Sequence, residues 1–206
     1  LVPALSFLIL RGRCRSCEAH ISWQYPVVEI WTGLIFLSVY NLHFPILHSL
    51  LLIFIFSIYV VITIYDFKHK IIPDELVYTS IFLSLLIPLF TTHYTLLDWL
   101  AGPILFIFFG SIWFLSRGRA MGFGDAKLGL SVGLVLGAAW GFSAIILAFW
   151  IGAFVSLSYI LLNKMAFIKS DNGLTMKSEI PFAPFIILGA WISLSVGLDI
   201  LHVASF

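Results

Sequence analysis

Long apolar segments alternate with short polar connections along almost the whole chain. An α-helix needs about 20 apolar residues to cross a bilayer, with a range of about 17–25. The pattern predicts an all-α fold, a polytopic membrane protein built as a helical bundle of about seven transmembrane spans. The predicted spans are residues 27–42, 46–65, 75–91, 96–116, 124–140, 142–162 and 181–203.

The composition supports this interpretation. Hydrophobic residues make up 61% of the 206 residues and charged residues only 10%, whereas a soluble domain is roughly half apolar and about a quarter charged. A globule of this size cannot bury such an excess, so we expect the lipid bilayer to be a partner of the chain. The net charge of +1 gives no reason to expect a nucleic-acid partner.

The basic residues predict the orientation. With seven spans, every Lys and Arg falls in or directly beside a connection on one side of the membrane, and the positive-inside rule places that side in the cytoplasm. We therefore expect a multi-pass protein of the cell inner (plasma) membrane with a cytoplasmic N-terminal segment. The four basic clusters hold all 11 such residues: Arg11, Arg13 and Arg15; Lys68 and Lys70; Arg117, Arg119 and Lys127; Lys164, Lys169 and Lys177.

Two acidic residues stand at the cytoplasmic ends of predicted spans. Asp66 closes the second span, and Asp125 opens the fifth in the motif Gly122-Phe123-Gly124-Asp125. An ionisable residue near hydrocarbon is energetically costly, so it is a functional-site hypothesis by default. Two such acids at similar depth indicate an aspartyl protease, with Asp66 and Asp125 as the catalytic residues.

The chemistry of peptide hydrolysis explains why two acids are needed. Adjacent carboxylates do not both ionise readily, so one keeps a proton. The ionised group can take a proton from an attacking water, and the protonated group can donate to the scissile carbonyl. Proteolysis by this route needs no cofactor. The sequence does not assign the shared proton to either residue, because the titration belongs to the pair.

Residues around the two acids are predicted to support the site. Gly122 and Gly124 have no Cβ, so they leave room either for an extended peptide substrate or for close helix packing. Pro73 must end the preceding helix. Asp74 follows at the position expected for the N-cap of the third span, and the structural role is the better supported one for this residue.

Cys14 and Cys17 form a Cys-x-x-Cys pair before the first span. Two thiolates at this spacing can ligate zinc, but a closed structural site needs four ligands. The pair is either half of a zinc site or a reduced dithiol, and His20 is a candidate third ligand. We interpret residues 1–26 as a partial cytoplasmic zinc-binding segment and residues 27–206 as a transmembrane peptidase domain. The start Leu1-Val2-Pro3 leads us to expect an internal piece of a longer protein.

Four motifs in order resemble those of the type IV prepilin leader peptidases, polytopic aspartyl proteases with a G-x-G-D signature. The resemblance covers nearly the whole chain. It rests on the segments Arg11 to Glu29, Asp66 to Asp74, Met121 to Lys127 and Ile180 to Phe185.

The resemblance implies cleavage of the leader peptides of prepilins and pseudopilins at the cytoplasmic face, after a Gly. Many bacterial members also methylate the new N-terminus with S-adenosylmethionine. Such proteins usually carry an earlier span and a first Cys-x-x-Cys, which would complete the zinc site with Cys14 and Cys17. Zinc and S-adenosylmethionine are thus expectations for a full-length parent.

Two other classes of protein remain open from the sequence. In an ion- or proton-coupled transporter, Asp66 and Asp125 would relay protons. That class predicts acids near the midplane and internal repeats, whereas both acids are predicted at the cytoplasmic edge. The second of these classes is a catalytically inactive membrane scaffold.

Overall fold

The computed structural model describes residues 3–91, 94–119, 121–165 and 181–202. Within these ranges the regular structure is helical, apart from an isolated bridge between Arg13 and His20. The all-α prediction is confirmed. The helices are α1 Pro3–Ile9, α2 Gln24–Asn41, α3 Ile46–His69, α4 Asp74–Ser84, α5 Leu96–Ser116, α6 Phe123–Met165 and α7 Ala183–Val196, with a 3-10 turn at Ile87–Phe90.

Three of the described helices, α3, α5 and α6, are long and apolar enough to cross a membrane. The predicted third span is divided between the 11-residue helix α4 and the 3-10 turn after it. The predicted last span is represented by α7, which has 14 residues. The count of seven spans therefore stays a prediction. The last basic cluster, with Lys169 and Lys177, lies outside the described residues, and so does the side chain of Lys164.

Helix α6 contains both the fifth and the sixth predicted spans, and the chain reverses direction inside it. Gly137 has φ 69° and ψ −170°, a conformation that is open only to glycine. A Cβ on Gly141 would lie 3.4 Å from the Gly133 Cα. In a continuous helix, eight residues separate two positions by about 12 Å. The two halves of α6 therefore form an antiparallel hairpin, and the predicted break at residues 137–141 lies where the chain turns.

The core of the bundle lies around α6, which packs against α4, α5 and α7, while α3 packs against α2, α4 and α7. Gly124, in the first turn of α6, packs against Ile72, which follows α3, so the C-terminal end of α3 and the N-terminal end of α6 share one end of the bundle. The largest fully buried side chains are Tyr59, Phe56, Phe109, Ile35, Leu52, Ile55, Ile62, Ile87, Leu128, Ile186, Ile187 and Leu194.

Candidate active site

Asp66 lies in the last turn of α3, and the local sequence ends the helix just beyond it. Lys70 adopts a left-handed conformation with φ 54°, and its N–H donates to the Asp66 carbonyl at 2.8 Å. The Asp66 side chain is only 5% exposed. The backbone amide of Ala183, at the start of α7, approaches its carboxyl group. The Oδ2 atom is buried and has no hydrogen-bond partner among the described residues.

Asp125 lies in the first turn of α6 and is 6% exposed. Its N–H donates to the Gly122 carbonyl at 3.2 Å, and the backbone amide of Gly122 approaches its carboxyl group. The Asp125 and Asp66 carboxyl groups are close enough for their charges to repel each other. The structure thus brings together the two acids that were predicted to form the site, although 58 residues separate them in the chain.

Gly124 is the point at which the segment that carries Asp125 packs against the loop that follows Asp66 and α3. A Cβ at this position would lie 2.9 Å from the Ile72 Cβ, closer than side chains normally approach. The space beside Gly124 is therefore filled by the loop that follows α3. Of the two roles proposed for this glycine, the structure supports close packing over room for a peptide substrate. A Cβ on Gly122 would instead meet the Asp125 carboxylate at 3.6 Å.

Asp74 differs from its predicted role. It is the first residue of α4, Pro73 takes the N-cap position, and no side chain caps the helix. The prediction of Asp74 as N-cap is wrong, because the extended Pro73 already precedes the first turn and the Asp74 carboxylate faces α6. There it forms an ion pair with Lys127, Nζ to Oδ1 2.6 Å.

Lys127 lies beside the candidate site, and its contacts there were not predicted from the sequence. Its basic charge was interpreted as part of a positive-inside cluster. In the structure its ammonium group also lies over the Tyr78 ring, 4.8 Å from the centroid, and 5.3 Å from the centroid of Phe123. The spacing of two residues after Asp125 was the available signal, since it places a cation beside the candidate site.

The Cys-x-x-Cys segment forms a tight turn. The Cys14 N–H donates to the Ala19 carbonyl at 2.9 Å, and the Glu18 N–H donates to the Cys14 carbonyl at 3.0 Å. Backbone N–H groups of Ser16 and Cys17 face the Cys14 sulfur and lower the pKa of this thiol. A turn that stabilises a thiolate fits half of a zinc site. In the part of the chain that the structure describes, no cluster of three or more potential ligands forms.

Comparison with known proteins identifies the family. A model of the type IV leader peptidase family matches residues 52–157, which include α3 from Leu52 onward and both candidate acids. The chain belongs to the type IV leader peptidase family. A second model, for the bacterial peptidase A24 N-terminal domain, matches residues 1–43. The family resemblance predicted from the four motifs is confirmed.

Several curated members of the type IV leader peptidase family are similar over nearly the whole chain. The prepilin leader peptidase/N-methyltransferase of Aeromonas hydrophila is 31% identical over 201 residues, covering 95% of this chain and 66% of the relative. The protein of the same name from Bacillus subtilis (strain 168) is 30% identical over 206 residues, covering 98% and 77%. That of Pseudomonas putida is 28% identical, covering 97% and 68%.

The chain spans about two thirds of the length of the first of these relatives. No solved structure matches it significantly.

Proposed function

We propose that this chain carries the catalytic domain of an aspartic endopeptidase, with Asp66 and Asp125 as its catalytic pair. The observation that supports this most is the meeting of two buried carboxyl groups at one end of the bundle. Each comes from the end of a different membrane-spanning helix. Membership of the type IV leader peptidase family supports the same proposal.

The proposed reaction uses the pair on one water molecule. The ionised carboxylate takes a proton from water as the water oxygen attacks the scissile carbonyl carbon, while the protonated carboxyl donates to the carbonyl oxygen. The resulting tetrahedral intermediate collapses as the C–N bond breaks and the leaving amine receives a proton. The buried Oδ2 of Asp66, with no described partner, has capacity to accept a hydrogen bond from that water.

The proposed substrates are the leader peptides of type IV prepilins and pseudopilins, cleaved at the cytoplasmic face of the inner membrane. The names of the relatives support the substrate class. The basic residues support the assignment of the site to the cytoplasmic face. The residues that adjoin the same end of the bundle as the two acids are Lys68, Lys70, Arg117 and Arg119. We propose residues 27–206 as the peptidase domain.

We further propose that a full-length parent methylates the new N-terminus, as the second half of the relatives' names indicates for those proteins. S-adenosylmethionine would supply the methyl group. Cys14 and Cys17 would be two of the zinc ligands in the preceding cytoplasmic segment, residues 1–26. The described residues identify neither a third zinc ligand nor a site for S-adenosylmethionine.

The proposal is tested by mixing the purified protein in detergent with a prepilin-like peptide and detecting a shorter product by mass spectrometry. Asp66→Asn and Asp125→Asn keep the side-chain shape but remove the acid–base group, so each should lose more than about a hundredfold in cleavage rate. Asp→Glu at either site should also abolish cleavage, because the added methylene displaces the carboxyl group and a misplacement of about 1 Å can lower the rate about a hundredfold.

Normal accumulation of both Asn variants is the control for folding. Full cleavage by either single variant would contradict the catalytic pair. An intact peptide with the wild-type protein, together with a gradient-dependent ion flux in vesicles, would instead support the transporter alternative.

A further inference from the structure

Three buried hydroxyl groups meet in the centre of the bundle, away from the two acids. The Tyr59 hydroxyl of α3 lies 2.8 Å from Ser131 Oγ of α6. Ser131 Oγ in turn lies 2.8 Å from Ser84 Oγ of α4. All three side chains are inaccessible to solvent. The proposed reaction does not use any of them.

Counting hydrogens fixes the direction of these bonds. Ser84 Oγ is 2.5 Å from the Ser80 carbonyl, and a carbonyl can only accept, so Ser84 donates its single hydrogen there. Ser84 must then accept from Ser131, and Ser131 must accept from Tyr59. The result is a one-way chain of hydrogen bonds from Tyr59 through Ser131 and Ser84 to the backbone of α4.

This hydroxyl chain lies about two helical turns from each acid along the helix axes. Tyr59 precedes Asp66 by seven residues on α3, which is about 10 Å of helix. Ser131 follows Asp125 by six residues on α6, which is about 9 Å. The Tyr59–Ser131 bond therefore joins the two acid-bearing helices about two turns from the acids, at nearly equal depth.

We propose that Tyr59, Ser131 and Ser84 are positioning residues that fix the axial register of α3 against α6 and thereby the separation of Asp66 and Asp125. Apolar contacts between helices tolerate sliding, whereas hydrogen bonds are directional and require one register. A buried hydroxyl that loses its partner cannot form a hydrogen bond with water instead. The helix register in which all three hydroxyl groups are hydrogen-bonded is therefore preferred. This inference rests on the proposed peptidase function.

Ser131→Ala is the main test, because it removes both interhelical bonds with little change of volume. We expect kcat for a prepilin-like peptide to fall by about tenfold or more with KM changed by less than about twofold, since the acids shift while the substrate surface stays. Tyr59→Phe, which removes only the first donor, should lower kcat less. The matched control is Ser193→Ala.

Ser193 is also fully buried, and its hydroxyl donates to the Trp140 carbonyl at 2.8 Å, which joins α7 to α6. It lies ten residues beyond Ala183, about 15 Å along α7 from the acids. Ser193→Ala should therefore lower the thermal unfolding midpoint without lowering kcat. An equal loss of kcat in Ser131→Ala and Ser193→Ala would overturn the positioning role.

A double-mutant cycle measures the hydrogen-bond chain without any assay of activity. Ser131→Ala leaves the buried Tyr59 hydroxyl without a partner, and adding Tyr59→Phe removes that hydroxyl. The double variant should therefore unfold at a temperature no lower than Ser131→Ala alone, and additive losses of stability would overturn the chain of hydrogen bonds.

A wild-type protein that cuts no peptide overturns the proposed function. Wild-type cleavage with unchanged kcat in both single variants overturns this inference alone.

Discussion

At the scale of single residues, the burial of two carboxyl groups near a membrane needs local compensation. An ionised carboxylate without partners is costly to bury. Asp125 lies at the N-terminus of α6, and Asp66 faces the N-terminus of α7 through Ala183. Helix N-termini carry partial positive charge and unpaired N–H groups, which favour a nearby anion. The fold thus provides a favourable environment for one negative charge shared by the pair.

Lys127 is predicted to hold the loop after α3 against the first turn of α6. Lys127→Met removes the ion pair to Asp74, so the segment that carries Asp125 should loosen. Since a misplacement of about 1 Å can cost about a hundredfold, we expect this partial loosening to lower the cleavage rate by about tenfold. The measurement is kcat/KM for a prepilin-like peptide.

Stability should respond little to the same substitution. Asp74 is 62% exposed, and an ion pair that faces solvent contributes less than about 1 kcal/mol. Lys127→Arg, which keeps the charge, is the control and should retain most of the activity. A Lys127→Met variant with unchanged kcat/KM would show that the ion pair does not act on the site.

The sequence was sufficient to select Asp66 and Asp125 as candidates, because the energetic cost of an acid in a membrane depends on residue type and depth; their catalytic role stays a prediction. Asp66 and Asp125 could be found by locating acids at the ends of apolar segments. The contacts of Lys127 and the Tyr59–Ser131 bond depend on how helices rotate against each other. A single sequence does not contain that information, since an isolated Ser or Tyr in an apolar helix has many ordinary roles.

At the scale of helices, the reversal inside α6 is held by a side chain from α5. Asp98 accepts hydrogen bonds through Oδ2 from the Thr95 N–H at 2.9 Å and the Thr95 hydroxyl at 2.7 Å. Its Oδ1 accepts from the Ala138 N–H at 2.9 Å, directly after Gly137. One carboxylate thus caps the start of α5 and satisfies a backbone donor that the break in α6 leaves free.

Asp98→Ala is expected to destabilise the protein by about 2–3 kcal/mol, because it removes charge-assisted hydrogen bonds on two helices at once. Thr95→Ala removes part of the capping box but leaves the bond to Ala138, so it should cost about 1 kcal/mol. Thermal or denaturant unfolding in detergent measures both values. Equal losses in the two variants would mean that the bond to Ala138 contributes nothing.

Helix boundaries were predictable where a residue type forces them. Pro73 excludes a continuous helix, and α3 ends before it while α4 begins after it. Gly137 marked the break that the structure shows as a chain reversal. The division of the third predicted span into α4 and a 3-10 turn was missed, because residues 75–91 are mostly apolar and hydropathy does not distinguish two short helices from one long helix. Pro88, which lies at the start of the 3-10 turn, was the available signal, since proline interrupts a continuous helix.

At the scale of the whole molecule, the arrangement of charge follows from the alternation of helix directions. Helix α5 begins at Leu96 and ends at Ser116, so its two ends are about 32 Å apart. The Lys and Arg residues that adjoin α3, α5 and α6 collect at the end that holds Asp66 and Asp125. The opposite end, around Leu96, has no Lys or Arg among its described residues.

This arrangement predicts the outcome of cysteine labelling in intact spheroplasts. In a Cys14→Ser/Cys17→Ser background, a membrane-impermeant maleimide added outside should label Leu96→Cys, which is an exposed position at the start of α5. Lys68→Cys and Arg119→Cys should react only after the membrane is permeabilised, because basic residues are retained in the cytoplasm. Cleavage of a prepilin-like peptide by each variant is the control for correct insertion.

The possible results separate two parts of the prediction. If Lys68→Cys and Arg119→Cys react from opposite sides, the ends of α3 and α5 do not share a membrane face, and the pairing of Asp66 with Asp125 fails with them. If both react from outside and Leu96→Cys does not, the bundle is intact but inverted. The pair would then face away from a cytoplasmic leader peptide, and the proposed substrate would be wrong while the proposed chemistry stood.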